Sequence, residues 1–177
     1  MRHFEERLNE LRQRLLEMSG LVESAIYRSV HAVVDRDEGL AQRVIENESR
    51  VNQMEIDIDD MAVQLLALEQ PVAIDLRLIT AAIKINNDLE RMGDLAVSIA
   101  ERALSLMHEP SVNAQIDVPY LAGLVESMVR KALDSFVKKD SDLARNVLFS
   151  DDAVDNLRNT IYKEMILYME DNPRSIP

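Results

Sequence analysis

The sequence predicts an all-α fold: tandem three-helix bundles, the second lacking its last helix in this chain. Three observations carry this expectation. Gly and Pro are sparse, 4 and 5 in 177 residues, so long stretches run without a helix breaker. Apolar residues recur in alternating steps of four and three over most of the chain. The same apolar register then returns at an offset of 103 residues.

The elements follow in order. Phe4, Leu8, Leu11, Leu15, Met18, Val22 and Ala25 form a helical seam that needs a helical neighbour. Leu40, Val44, Val51, Met54, Ile58, Met61, Leu65 and Leu68 form a second, broken at Asn47. Pro71 ends that helix and disfavours helical geometry at Gln70. A third helix is expected from about Asp75 to Met107, with Leu78, Ile85, Leu89, Met92, Ala96, Ile99 and Ala103 on one face. Pro110 and Pro119 bracket a loop, and two more helical patterns cover 119–139 and 141–171. The organisation read from this is a first repeat over 1–108, a linker over 109–118, and a two-helix second repeat over 119–177.

The repeat is visible residue by residue. LVES occurs at 21–24 and at 124–127. At the same offset Leu40 matches Leu143, Val44 Val147, Val51 Val154 and Ile58 Ile161. Repeat one reads as three helices and repeat two as two, so the chain reads as cut short.

Composition narrows the function. A net charge of −12 with no Lys/Arg cluster opposes binding to a phosphate backbone, so no nucleic-acid partner is expected. With no Cys, disulfides and thiolate metal sites are excluded, which fits a cytoplasmic protein. The opening MRHFEERLNE lacks the apolar core of a secretory signal, and no window approaches the roughly 20 apolar residues of a membrane span. His3, His31 and His108 are dispersed, and phosphate-loop, dinucleotide, zincin and serine-hydrolase motifs are all missing.

What remains is a concentration of acids. Asn87, Glu90, Asp94, Ser98 and Glu101 share a helical sector roughly 80° wide, nearly opposite the apolar stripe. If the second and third helices fold back around Pro71, facing residues have numbers adding to about 142. Glu48 then faces Asp94, Asn52 faces Glu90 and Glu55 faces Asn87. Repeat two keeps half of this as Asp151 and Asp155, with Arg158 at the position of Glu55. Two readings stay open. The rows are a solvated face, or they share a cation, because like charges at i, i+4 cost roughly 0.2–0.5 kcal/mol per pair without one. Hard oxygen donors of this kind suit Mg²⁺, Ca²⁺, Mn²⁺ or iron. Gly93, inside this segment, reads first as a close helix crossing.

The stretch LEQPVAIDLRLITAAIKINNDLERMGDLAVSIAE (68–101) resembles the signature of the PhoU family, accessory regulators of bacterial phosphate-specific transport. QPVAIDLR and DLERMGD carry the likeness, and FEERLNELRQRLLEMSGLVESAI (4–26) is similar to the family's opening helix. The resemblance implies tandem three-helix bundles and a cytoplasmic, dimeric regulator without catalytic activity. It implies negative regulation of the phosphate-starvation response through the phosphate ABC transporter ATPase subunit and a sensor histidine kinase, with membrane association only through those partners. It also implies a divalent or multinuclear metal (Mg, Mn, Fe or Zn) at Glu90 and Asp94, opposite Glu48 and Asn52, with Asp151 and Asp155 the remnant in repeat two. Two alternatives are a metal-storage or di-metal enzyme bundle and a purely structural helical module. The Glu-x-x-His motif of ferritin-like sites is missing from the sequence.

Overall fold

The computed structural model describes residues 2–110 and 116–173, and every described element is an α-helix. These are α1 (Arg2–Val34), α2 (Glu38–Glu69), α3 (Ala73–Leu106), α4 (Val118–Lys138) and α5 (Ser141–Asp171). Among the described residues α1 touches α2, α3 and α4, whereas α5 touches α4 alone. The chain is therefore a three-helix bundle with an α4–α5 hairpin leaning on one of its helices. Residues 111–115 of the expected linker and 174–177 at the end lie outside the described residues.

The seam residues of α1 do what their spacing requires. Leu11, Leu15, Met18 and Val22 have no exposed surface, and Leu8 is buried. Each such side chain contributes roughly 1.5–3 kcal/mol by leaving water. Val51, Ile58 and Leu65 of α2 and Ile79, Ala82 and Leu89 of α3 complete this core, and Val129 and Leu133 of α4 extend it. A second cluster closes the other end of the bundle through Ala32, Ala41, Val44, Ala96, Val97 and Ala100.

Leu68, placed in the α2 seam from sequence, is 69% exposed, while Ala62 is buried. An α-helix drifts about 20° per heptad against a seven-residue repeat. The row Met54, Met61, Leu68 accordingly rolls from half-buried to exposed, and the core side passes to Ile58, Ala62 and Leu65. α2 ends where Pro71 demands, with Gln70 left-handed at φ 45.

The duplication is legible in backbone geometry as well as sequence. Arg36 and Lys139, 103 residues apart, are both left-handed, at φ 52 and 55. The next residues, Asp37 and Asp140, have φ −97 in both cases with ψ 103 and 101. Each caps the following helix, Asp37 accepting from the Leu40 amide at 3.0 Å and Asp140 from the Leu143 amide at 2.9 Å. Arg36 also donates to the main-chain oxygens of Leu106, Met107 and Glu109 at 2.7–3.0 Å, tying the α1–α2 turn to the end of α3.

The hairpin is joined to the bundle mainly through α1 and α4. Arg130 donates Nε and Nη2 to Glu23 Oε2 at 3.1 and 2.6 Å, and Ser19 donates to Glu23 Oε1 at 3.0 Å. Glu126 lies beside this pair. Its burial and the charge of Glu23 raise its pKa above the ordinary 4.5, against the pull of Arg130 and His31.

Candidate functional site

The acidic rows lie on the α2–α3 pair. Gly93 makes that pairing close, because a Cβ there would stand 3.2 Å from Val51 Cγ1. About two turns away along α3, Asn86 Nδ2 donates to the main-chain oxygen of Glu55 at 2.8 Å. Val51 opposite Gly93 and Glu55 opposite Asn86 both lie within two residues of the register expected from the Pro71 turn. The close crossing accounts for Gly93 in a helix interior, where Gly costs about 1 kcal/mol against Ala.

This register brings Glu48, Asn52 and Asp94 to one place. All three line a cavity of about 160 Å³ together with Gly93 and the α2 residues Arg43 and Arg50, with Ser24 and Arg28 of α1 on another side, so three guanidinium groups share it with the acids. Glu90 and Glu55 lie next along the same interface. The Glu90 carboxyl is raised above its ordinary 4.5 by burial, then by the negative charges of Asp94 and Glu55, with Arg91 opposing. Negative charge from both helices thus acts on Glu90.

Asn87 is exposed and does not line the cavity. The side chain that meets α2 at that level is Asn86, one residue earlier and fully buried. It belongs to the buried row Ile79, Ala82, Asn86, Leu89, Gly93, Ala96, Ala100 and Ala103, whose three-and-four spacing would have found it. A polar residue in a seam reads as a break, so the row was placed one position to the side. Asp151 and Asp155 are exposed on α5, where Asp155 pairs with Arg158 at 3.1 Å. They stand apart from the other six residues and face no third helix among the described residues.

The residues of the α2–α3 rows fit a hard cation in donor type. They supply carboxylate and amide oxygens, and burial together with Asp94 and Glu55 raises the Glu90 carboxyl above its ordinary range. Among the described residues no three His, Cys, Asp or Glu side chains are grouped closely enough to hold an ion as they stand. Loading would therefore require side-chain rotation, within reach of surface carboxylates.

A duplicated helix–turn–helix with acidic rows across one helix pair defines an all-helical bundle module. No helix is long and apolar enough to cross a membrane among the described residues. The PhoU domain matches residues 15–103 and 118–176, and the chain belongs to that family. It is 44% identical over 174 residues to the phosphate-specific transport system accessory protein PhoU homolog of Pseudomonas putida, covering 98% of this chain and 68% of that protein. The crystal structure of PhoU from Pseudomonas aeruginosa superposes with a TM-score of 0.91 at 42% identity, over 98% of this chain and 83% of that one. The phosphate transport system regulatory protein PhoU from Streptococcus pneumoniae gives 0.86 at 28% identity, over 96% and 80%.

Proposed function

We propose that this protein is a cytoplasmic accessory regulator of phosphate uptake and of the phosphate-starvation response, and that it works by protein–protein contact without catalysing a reaction. The observation that carries this reading is the match to PhoU proteins over 98% of the chain, several of them named for the phosphate-specific transport system. Its partners in this reading are the ATPase subunit of a phosphate ABC transporter, a sensor histidine kinase and a second copy of itself. It reports transporter state to the kinase and restrains the response when phosphate is plentiful. Deleting the gene should then release alkaline phosphatase in high phosphate by tenfold or more; unchanged repression would remove the reading.

In the same proposal Glu48, Asn52, Glu55, Glu90 and Asp94 hold a divalent cation (Mg, Mn, Fe or Zn) that ties α2 to α3. Such an ion supplies positive charge that offsets the facing carboxylates, and the carboxylates give it its place. The purely structural reading keeps one observation in its favour, the lack of a closed group of three ligating side chains among the described residues. A manganese titration of the wild type against Glu90→Gln/Asp94→Asn separates the two. Identical melting with and without metal favours the structural module.

A further inference from the structure

The cavity between the three bundle helices carries more positive charge than negative in its lining. Arg28 of α1 and Arg43 and Arg50 of α2 meet there, against Glu48 of α2 and Asp94 of α3. Among the described residues none of these three guanidiniums has an ion pair or a hydrogen bond, whereas those of Arg7, Arg14, Arg36, Arg130 and Arg145 do. The Ser24 hydroxyl on the same wall is also without a partner. In a chain with 32 Asp and Glu against 20 Lys and Arg, that convergence does not come from a shortage of acids.

Helix geometry makes the arrangement. Ser24 and Arg28 are one turn apart on α1, and Arg43 and Arg50 are two turns apart on one face of α2. The second repeat is an internal control. At the offset of 103, Ser24 and Arg28 become Ser127 and Lys131, but Arg43 becomes Asn146 and Arg50 becomes Ala153. The Asp caps survive in both copies, so the helix–turn–helix does not need the two α2 arginines.

Guanidinium forks match the paired oxygens of an oxyanion. A cavity needs about 10–15 Å³ to hold one water, so 160 Å³ admits a group of four oxygens. Drug-sized molecules occupy about 300–1,000 Å³ and do not fit whole. The acids select further. An ionised carboxylate only accepts hydrogen bonds, so it repels sulfate, which carries no proton at neutral pH, and accepts from the hydroxyl of hydrogen phosphate. A phosphate monoester has lost that proton above a pKa of about 6. Glu48 is half-buried and Asp94 exposed, so water screens Glu48 less.

We propose that this cavity is an oxyanion site for inorganic phosphate, held by Arg28, Arg43, Arg50 and Ser24, with Glu48 accepting the proton of the bound hydrogen phosphate. The site needs no metal and stands apart from the cation reading of the acidic rows. Bound phosphate ties α1 to α2, so the chain registers phosphate itself as well as the state of its partners.

The test is isothermal titration of the full chain with inorganic phosphate in EDTA, so that no cation takes part. Saturable binding is expected, weakened about tenfold or more in Arg43→Gln and in Arg50→Gln by the loss of a charge-assisted bond. Both positions are exposed, so these variants keep the fold, which circular dichroism checks. Arg145→Gln on α5 should bind as the wild type does. Sulfate and AMP should each bind at least about tenfold more weakly than phosphate, and Glu48→Gln should narrow the gap to sulfate. No saturation in millimolar phosphate overturns the proposal, as do wild-type affinities in Arg43→Gln and Arg50→Gln. Sulfate bound as tightly as phosphate is bare anion attraction and overturns it; AMP bound more tightly is an ester site and overturns it too. A sulfate gap unchanged in Glu48→Gln overturns the role given to Glu48. Failure here leaves the regulator reading to the deletion test and the cation reading to the manganese titration.

Discussion

α2 and α5 are the same helix used twice, and the chain treats them differently. Both follow a left-handed residue and an Asp cap, and both carry the same apolar register. α2 buries Ala41, Val44, Val51, Ile58, Ala62 and Leu65, whereas α5 buries nothing among the described residues. The difference lies in what packs against them. α2 is held between α1 and α3, while α5 has α4 alone, and Phe149 is left 75% exposed. Local chemistry therefore suffices to start and stop a helix of this family, but a third helix is what turns an apolar stripe into a core. It is also what gathers the acids, since Glu48 and Asn52 line one cavity with Asp94, whereas Asp151 and Asp155 meet no third helix among the described residues.

The largest expected effect follows from burial. Leu15→Ala, in the heart of the bundle, should lower stability by about 2–5 kcal/mol in urea unfolding, whereas Phe149→Ala should stay within about 0.5 kcal/mol. Comparable losses at both sites would show that α5 is covered. Hydrogen exchange sharpens the same contrast: α5 amides should exchange at least about tenfold faster than those of α2, because few buried contacts oppose their opening. The close crossing comes next, where Gly93→Val should cost about 1–3 kcal/mol by forcing Val51 aside. By contrast Asp37→Ala and Asp140→Ala should cost nearly the same, about 1 kcal/mol each, because the two caps share one geometry.

The smallest effect is at the joint between the two regions. Glu126 has a folded pKa above its unfolded value of 4.5, so its charged form is disfavoured in the fold. Its favourable contribution is complete below the unfolded pKa and is lost as pH rises through the raised one. Glu126→Gln should therefore raise the melting temperature at pH 7, by about 1–2 °C, and leave it unchanged near pH 3. Burial is the main cause of that shift; Glu23 on α1 adds to it, and Arg130 on α4 and His31 on α1 oppose it.

Much of this was legible before any coordinates. The heptad seams of α1 and α2, the break at Pro71 and the 103-residue duplication are local patterns, and helix geometry converts them directly into faces. The facing of Glu48 and Asp94 followed from one assumption, a tight antiparallel turn, and both line one cavity. Three particulars were not legible. Leu68 rolled outward because seven residues fall about 20° short of two turns. Asn86 was hidden because a buried amide looks, in a sequence, like any polar residue; its exposed neighbour Asn87 took its place. The separateness of Asp151 and Asp155 depends on what packs beside α5, which no local pattern encodes.

The central claim is that α2 and α3 present one shared set of oxygen donors to a cation. A double-mutant cycle of Glu48→Gln and Asp94→Asn, read by Mn²⁺ affinity in isothermal titration, tests it across the two helices. The account predicts weakened binding in each single variant and a coupling of about 0.5–3 kcal/mol between them. Losses that add without coupling, or affinities equal to that of the wild type, would contradict it.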